Sequence, residues 1–538
     1  MSMKERISKL VPEVTFEEQG DLVAVVPVRQ FRFLMEKLRN EGDKMDYLRE
    51  IMGMDWGEQL GAVYYLESTT TYERVAVKTM AESRENPLLP SVCDLWKTAE
   101  IKEREAYDFF GILFIDNPDM RRIFLREDWV GYPFRKDYDL SSNPLNMENE
   151  CNADITDEIV LDPNGKLEDI KNIVFGKQDF VVNIGPQHPS THGVLRLRTS
   201  LEGETVKKVD PICGYIHRGI EKMSESMTYP QTLAMTDRLD YLSANHNRHA
   251  LCMCIEKACG IEITERAQYI RTLFDELQRI DSHLLYYSCL VMDMGGLTPF
   301  FYGFRDREMV LDILEDTTGG RLIQNYYTIG GVQADLHPDF QRKVKAFIKH
   351  MRGIIHEYHE IFTGNVIARE RLIGVGMLSR EDAISLGTTG GTGRASGWAN
   401  DVRKHHPYAM YDKVDFKEII YTGCDSFDRY MVRMDEIMES MNIIEQLIDT
   451  IPEGDYQVKT KPIIKVPEGT YSASVESSRG EFAVFLVSDG SKNPFRLHYR
   501  STGLPLVHAL DTVCRGNKIA DLIAIGGTLD YVIPDIDR

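Results

Sequence analysis

The stretch TERAQYIRTLFDELQRIDSHL, residues 264–284, carries the pattern that decides the fold. Its apolar residues recur every three or four positions, which is the spacing of one face of an α-helix. They are Tyr269, Ile270, Leu273, Phe274, Leu277, Ile280 and Leu284. Asp275, Glu276 and Arg279 fall on the other face, so the pattern predicts an amphipathic helix. Residues 429–449 repeat this pattern, which predicts a second long helix and a mainly helical region.

Strands frame this helical region on both sides. They are predicted around residues 180–198, in EFAVFLVSDG (481–490) with a buried run at 482–487, and in LIAIGG (522–527). The sequence therefore predicts a mainly α domain with small β-sheets over residues 176–538.

The N-terminal part has a different pattern. Short apolar alternations at DLVAVVPV (21–28) and AVYYLES (62–68) accompany a helical pattern at residues 31–39, which predicts a small α+β domain over residues 1–140. Residues 141–175 hold 8 acidic and 2 basic side chains, contain SSNP and DPNG turn signals and lack apolar periodicity. This composition indicates an acidic linker between two domains.

Composition limits the possible functions. The 538 residues are 43% hydrophobic and 27% charged, as in ordinary globular proteins, and no apolar stretch is long enough to span a bilayer. The net charge of −21 argues against a nucleic-acid binder, because binding to phosphates depends on clustered cations. The N-terminus lacks the apolar core of a secretory signal. We therefore expect a cytosolic chain, with a peripheral position on a membrane complex left open.

Two features that resemble ligand sites favour structural interpretations. Nine cysteines form no CxxC pair, and Cys252 and Cys254, two residues apart on a predicted helix, suit packing better than metal ligation. GTTGGTGRASG (387–397) fits neither the dinucleotide nor the phosphate-loop motif, so we interpret it as a structural loop.

GPQHPSTHGVLR (185–196) is the strongest candidate for chemistry, because it holds His188 and His192 in a turn flanked by glycines and prolines. From the residues alone, a functional pair and a hydrogen-bonded structural turn are equally open. His283 shares a helix face with Ile280, which indicates a buried histidine. Tyr241 and Asp293 are unremarkable by themselves.

Two sets of motifs resemble a known family. EREAYDFFGILF (103–114) followed by RRIFLREDWVGYPFRKDYDL (121–140) resembles the thirty-kilodalton subunit of respiratory complex I. The C-terminal part resembles its forty-nine-kilodalton quinone-site subunit, and the matching motifs are GPQHPSTHGVLR, GYIHRGIEK (214–222), DRLDYL (237–242), LTPFFYGFRDRE (297–308), RASGWANDVRK (394–404) and DYVIPDIDR (530–538). The resemblance implies that two neighbouring subunits are fused into one chain.

The second subunit type shares its fold with the large subunit of nickel-iron hydrogenases, whose metal is held by two CxxC pairs. The resemblance places Asp240, Ser243, Val532 and Asp535 where those cysteines stand. Nickel in such a site needs thiolates, so we expect no hydrogenase activity and no metal bound by this chain.

The resemblance implies roles for five residues. His192 and Tyr241 would donate hydrogen bonds to the two carbonyl oxygens of a quinone, and Asp293 would stabilise the charged form of the histidine. Arg218 and His283 would lie beside the terminal iron-sulfur cluster of an adjacent subunit and tune its potential.

The expected protein is thus a subunit of a proton-translocating NADH:quinone oxidoreductase, inactive alone. Its expected place is peripheral, on the cytoplasmic side of the bacterial inner membrane, with a cluster-bearing subunit, other peripheral-arm subunits and membrane-arm subunits as partners. Two alternatives remain: a hydrogen- or formate-linked membrane complex of the same ancestry, and a non-enzymatic assembly scaffold.

Overall fold

The computed structural model describes residues 2–126, 129–139, 174–176, 179–191 and 193–538, together with four short strands between residues 155 and 173. No helix within these residues is both long enough and apolar enough to cross a bilayer. The four short strands form two antiparallel pairs, β8 with β11 and β9 with β10. Strands β8–β11 are Ile155–Thr156, Val160–Leu161, Leu167–Asp169 and Asn172–Ile173.

The N-terminal domain is built on a five-stranded sheet in the order β1-β2-β5-β4-β3, in which only β2 and β5 are parallel. Strands β1–β7 are Thr15–Glu17, Val23–Val25, Tyr47–Asp55, Leu60–Glu67, Arg74–Met80, Leu88–Pro90 and Leu113–Ile115, and helices α1–α3 are Met3–Leu10, Val28–Asn40 and Thr98–Phe110. Helix α2 buries Phe31, Leu34, Met35 and Leu38 at helical spacing. The predicted α+β elements are confirmed.

The C-terminal domain combines long helices with two three-stranded antiparallel sheets, β12-β15-β16 and β19-β20-β21. Strands β12–β21 are Phe180–Ile184, Gln187–His188, Gly193–Val194, Arg196–Glu202, Thr205–Ile212, Tyr327–Thr328, Gly331–Val332, Gly469–Ser477, Gly480–Ser488 and Arg496–Arg500. Helices α4–α10 are Ile220–Ser224, Tyr229–Thr236, Ala244–Cys259, Glu265–Asp293, Leu297–Thr318, Phe340–Tyr358 and Val366–Leu372. Helices α11–α17 are Arg380–Leu386, Gly390–Ala395, Val402–His405, Ser426–Leu447, Gly503–Cys514, Ile519–Leu529 and Ile533–Asp537.

Helix α7 is the central element, and the prediction of its polar face is wrong. Asp275, Glu276 and Arg279 are all fully buried, as are the predicted apolar residues apart from the partly buried Tyr269. Glu276 accepts hydrogen bonds from the Tyr411 and Ser440 hydroxyls at 2.6 Å, and Arg279 donates to backbone carbonyls of β19. Charged residues can be buried when partners satisfy them, and a single helix pattern cannot show those partners.

Two further predictions need correction. LIAIGG lies within α16 and is not a strand, because a short apolar run fits a buried helix as well as a buried strand. The glycine-rich stretch 387–397 is only partly a loop, since residues 390–395 form the buried helix α12. The predicted buried strand at residues 482–487 is confirmed within β20.

The two domains share a core. Val23, Met52, Met54, Val63, Tyr65 and Ala76 of the N-terminal sheet pack against Ala483 and Phe485 of β20. The rings of Tyr65 and Phe485 lie 4.0 Å apart, centroid to centroid. The contact places the N-terminal sheet directly against the β-hairpin β19–β20, whose turn carries Arg479.

Candidate active site

Tyr241 begins a short 3-10 turn, Tyr241–Ser243, immediately before helix α6. The Asp240 carboxylate caps this turn by accepting a hydrogen bond from the Leu242 amide at 3.1 Å. Asp240 is buried, whereas Tyr241 is half-buried. Burial raises the pKa of the Tyr241 hydroxyl, and the neighbouring Asp240 carboxylate adds to the effect. The phenol therefore keeps its proton at neutral pH and can donate a hydrogen bond.

Arg479 ties this turn to two other segments. It lies between β19 and β20, and its Nη1 donates to Asp240 Oδ2 at 2.8 Å and to Ser282 Oγ of α7 at 3.1 Å. Its Nη2 donates to Asp530 Oδ1, after α16, at 3.2 Å. Sequence reasoning gave Arg479 no role; the available signal was an arginine beside a glycine in VESSRGEF (475–482), directly before the predicted strand.

Asp293 is the last residue of α7 and lies against α16. A Cβ added to Gly527 would lie 3.2 Å from Leu290 Cδ1 and 3.7 Å from Asp293 Oδ2. Burial, together with the Asp293 carboxylate, raises the pKa of the Cys289 thiol, one helical turn earlier, to about 11. Cys289 also adds to the raised pKa of Tyr241. Tyr241 and Asp293 therefore share Cys289 as an electrostatic neighbour.

His192 lies outside the described residues, but the residues on both sides of it are placed. The 3-10 turn Pro189–Thr191 packs on α16, and a Cβ added to Gly193 would lie only 2.6 Å from Ile533 Cγ1. The Thr191 hydroxyl lies 2.8 Å from the carbonyl oxygens of both His188 and Gly193 and can donate to either. His188 itself is exposed. The segment that carries His192 thus reaches the same helix, α16, as Asp293.

Arg218 is exposed and lies beside a second arginine. Its Nη2 donates to the Arg238 carbonyl oxygen at 2.5 Å, and its amide donates to the Arg538 carbonyl oxygen at 3.1 Å. Partial burial lowers the pKa of the Arg218 guanidinium, and the adjacent Arg238 charge adds to this. Arg238 precedes Tyr241 by three residues in DRLDYL, so a cation that sequence reasoning did not single out lies just before the turn.

His283 is fully buried in the middle of the domain, so its side chain does not reach the surface on which Arg218 lies. Its Nε2 is 2.9 Å from Glu436 Oε2, and Arg394 pairs with the same carboxylate. Burial lowers the pKa of the His283 imidazole, although Glu436 opposes this shift. The sequence prediction of a buried histidine is confirmed.

One group of described residues has the geometry of metal ligands: Glu105, Glu221 and His498 have ligand atoms within 4.8 Å of one another. Two arginine side chains already pair with the carboxylates of this group. Arg538 donates to Glu105 at 2.6 Å and to Glu221 at 3.0 Å, and Arg496 lies 2.8 Å from Glu221. The group is better described as a buried ion network between the two domains than as a metal site.

Comparison with known proteins identifies the family. The family model of the respiratory-chain NADH dehydrogenase 30 Kd subunit matches residues 24–144, and that of the 49 Kd subunit matches residues 293–464 and 460–538. An NADH-quinone oxidoreductase C/D subunit of Bacteroides fragilis is 68% identical over 516 residues, which cover 94% of this chain and 97% of the relative. The chain belongs to the family of NADH-quinone oxidoreductase C/D subunits.

Other members agree with this assignment. The C/D subunit of Phocaeicola vulgatus is 67% identical over 514 residues, covering 95% of this chain and 99% of the relative. The NADH-quinone oxidoreductase D subunit of Desulfotalea psychrophila is 46% identical over 362 residues, covering 67% of this chain and 97% of the relative. The family resemblance is confirmed, and the chain is a subunit of an oxidoreductase complex.

Proposed function

We propose that this chain forms the quinone-reduction site of a proton-translocating NADH:quinone oxidoreductase, together with a partner subunit that holds an iron-sulfur cluster. The observation that carries the proposal is that Arg479 joins the Tyr241 turn, α7 and the C-terminal segment, while α16 contacts both Asp293 and the flanks of His192. Residues from four separate parts of the sequence thus meet around α16 and the start of α6.

The proposed chemistry follows from what these groups can do with protons. Reduction of a quinone to a quinol takes two electrons and two protons. Tyr241, whose pKa is raised by burial, donates a hydrogen bond to one quinone oxygen. His192 donates to the other, and the Asp293 carboxylate stabilises the imidazolium form. As the two electrons arrive, each donor passes its proton to the quinone oxygen that it faces, and it then regains a proton from solvent.

Electrons enter from the partner's cluster beside Arg218. The neighbouring guanidinium of Arg238 strengthens the positive potential there, which favours the reduced form of a nearby cluster. His283 is buried with Glu436 and Arg394, so in this proposal it acts on the cluster through this buried network and not by contact. This chain supplies no ligand to the cluster.

The partners dock on apolar surface near Asp293. Met292, Leu297 and Phe301 are 41%, 61% and 58% exposed, which is unusual for three large apolar side chains so close in sequence. We assign this surface to complex I partners in the peripheral and membrane arms. The chain then lies peripherally on the cytoplasmic side of the bacterial inner membrane, with residues 1–140 and 176–538 as its domains and residues 141–175 as the linker.

We also propose that the C-terminal domain has the fold of the nickel-iron hydrogenase large subunit without its nickel site. Asp240 and Ser243, at two of the cysteine places, both lie by the Arg479 guanidinium, and Asp535, at a third, accepts hydrogen bonds from Ser501 and Thr502. Hydroxyl and carboxylate groups bonded in this way are poor ligands for nickel. Nickel in the purified complex would favour the hydrogen- or formate-linked alternative.

Tyr241→Phe tests the proposal in the intact complex. We expect quinone reduction to fall strongly while the subunits still co-purify and the partner's cluster is still reduced by the donor. Tyr215→Phe, at an exposed tyrosine outside the turn, is the control. Normal quinone turnover in Tyr241→Phe would reject the role of Tyr241, and indifference to changes at both Tyr241 and His192 would favour the scaffold alternative.

A further inference from the structure

Arg479 makes contacts that quinone chemistry does not itself require. The residue is 1% exposed, and its side chain hydrogen-bonds three segments that are far apart in sequence: Asp240, Ser282 and Asp530. Each bonded residue lies near a candidate site group. Asp240 precedes Tyr241, Ser282 lies on the helix that ends at Asp293, and Asp530 follows the helix that packs on Asp293.

The geometry of these contacts requires a guanidinium. Two nitrogens of one planar group serve acceptors on different sides, with Nη1 facing Asp240 and Ser282 and Nη2 facing Asp530. A lysine ammonium concentrates its donors at one point and cannot span the same acceptors. Arg479→Lys therefore keeps the charge and removes the bridge.

Two carboxylates and the Arg479 guanidinium act on the Asp240 carboxyl. Asp530 and Asp535 both add to the burial that raises the pKa of the Asp240 carboxyl, and Arg479 is the cation that opposes them. Arg433 is a second cation nearby, with its Nε 3.4 Å from Asp530 Oδ2. Loss of the Arg479 charge thus makes Asp240 easier to protonate.

Protonation of Asp240 affects the turn directly, because its carboxylate accepts the Leu242 amide hydrogen bond that caps Tyr241–Ser243. A neutral carboxyl is a weaker acceptor than a carboxylate. The other groups that face Tyr241 are Cys289 and Arg307, and neither bonds to this cap. The position of Tyr241 is therefore linked to the charge on Asp240.

We propose that Arg479 is a positioning residue for quinone reduction, which holds the Asp240 carboxylate and, through it, the Tyr241 turn in fixed relation to the Asp293 end of α7. Arg479 does not touch the quinone. This inference rests on the proposed function of Tyr241, and the experiment separates the two.

The experiment measures quinone reduction by the purified complex over a range of pH in Arg479→Lys, Arg479→Gln and the double variant Arg479→Gln/Asp240→Asn. We expect Arg479→Lys to lower kcat/KM about 100-fold, the scale of a misplaced catalytic group. In Arg479→Gln, the acid limb of the pH profile should also move to higher pH. In the double variant that shift should disappear, because no carboxyl remains at position 240.

Arg271→Lys is the matched control, because Arg271 is equally buried, pairs with Glu256 and lies 11 residues before Ser282 on α7. It should leave the pH profile unchanged. Reduction of the partner's cluster, read by electron paramagnetic resonance, reports assembly in every variant. A uniform loss at all pH values in Arg479→Gln, or wild-type kcat/KM in Arg479→Lys, overturns the positioning role. If Tyr241→Phe itself is fully active, the proposed function fails instead.

Discussion

Arg49 of the N-terminal domain and Glu481 of the C-terminal domain form an ion pair that is closed to solvent. The Arg49 Nη2 and Glu481 Oε1 atoms are 2.5 Å apart, and each side chain is 3% exposed. The Tyr47 hydroxyl donates to the other oxygen of Glu481 at 2.9 Å. Glu481 is two residues from Arg479, so the contact between the domains lies next to the candidate active site.

Glu481→Gln should destabilise the chain by about 3 kcal/mol, because it leaves the buried Arg49 guanidinium with only the more distant Glu67 carboxylate, 3.5 Å from its Nε, as a counter-charge. Urea unfolding of the purified chain measures the effect. The control is Glu41→Gln, which removes an exposed partner of Lys37 and should change the free energy of unfolding by at most about 0.5 kcal/mol. Equal stabilities of the two variants would contradict the prediction.

His498 should make stability depend on pH. It is buried between the domains, with its Nδ1 3.1 Å from Glu221 Oε2. Although burial opposes protonation, Glu221 and Glu50 raise the pKa of the imidazole above its usual value. The folded state therefore gains stability from the protonated form; this gain is complete below the unfolded pKa, near 6.5, and is lost as pH rises through the folded pKa.

His498→Gln should abolish that dependence. Urea midpoints measured at steps of pH from below 6.5 to alkaline values would show a falling curve for the native chain and a flatter one for the variant. His356→Gln, at an exposed histidine of α9, serves as the control and should retain the native curve. A native curve in His498→Gln would mean that other groups cause the dependence.

Gly390→Ala should disturb the site from the opposite side of the Arg479 turn. Gly390 has a φ of +71°, and a Cβ there would lie 2.3 Å from the Arg479 carbonyl oxygen. The strain and the clash must move the backbone that carries Arg479. We expect lower quinone activity in the assembled complex, whereas Gly353→Ala, in an open position on α9, should leave it unchanged.

Asp293→Asn tests the electrostatic support proposed for His192. Without a neighbouring carboxylate the imidazolium is less favoured, so the histidine pKa falls and the activity optimum should move to lower pH. We expect kcat near neutral pH to fall by about 10- to 100-fold. Asp293→Glu, which keeps the charge, should retain more activity than Asp293→Asn at every pH; the reverse order would reject the assignment.

Sequence reasoning predicted elements whose patterns are local. Helix α2, strand β4 and the part of α7 up to Leu284 follow from apolar spacing alone, whereas α7 continues to Asp293. It failed where tertiary packing decides: LIAIGG is helical because α16 is buried on several sides, and Asp275 is buried because His249 and Tyr327 satisfy its carboxylate.

The candidate site shows the same contrast between what a local pattern predicts and what tertiary packing decides. Tyr241, Asp293 and Arg218 were assigned through the motif resemblance and stay predictions, since none of them is distinctive by composition. Arg479 was missed because its role depends on three acceptors separated from it by 51 to 239 residues. Such convergence leaves no trace in a local pattern.

The shared core of the two domains has a consequence for assembly. In the D subunit of Desulfotalea psychrophila, the counterpart of the C-terminal part is a chain of its own. Here one continuous chain carries both parts, so docking of the two domains is an intramolecular event whose effective concentration does not depend on the protein concentration. Dilution cannot separate the domains, and each assembled particle receives them in a one-to-one ratio.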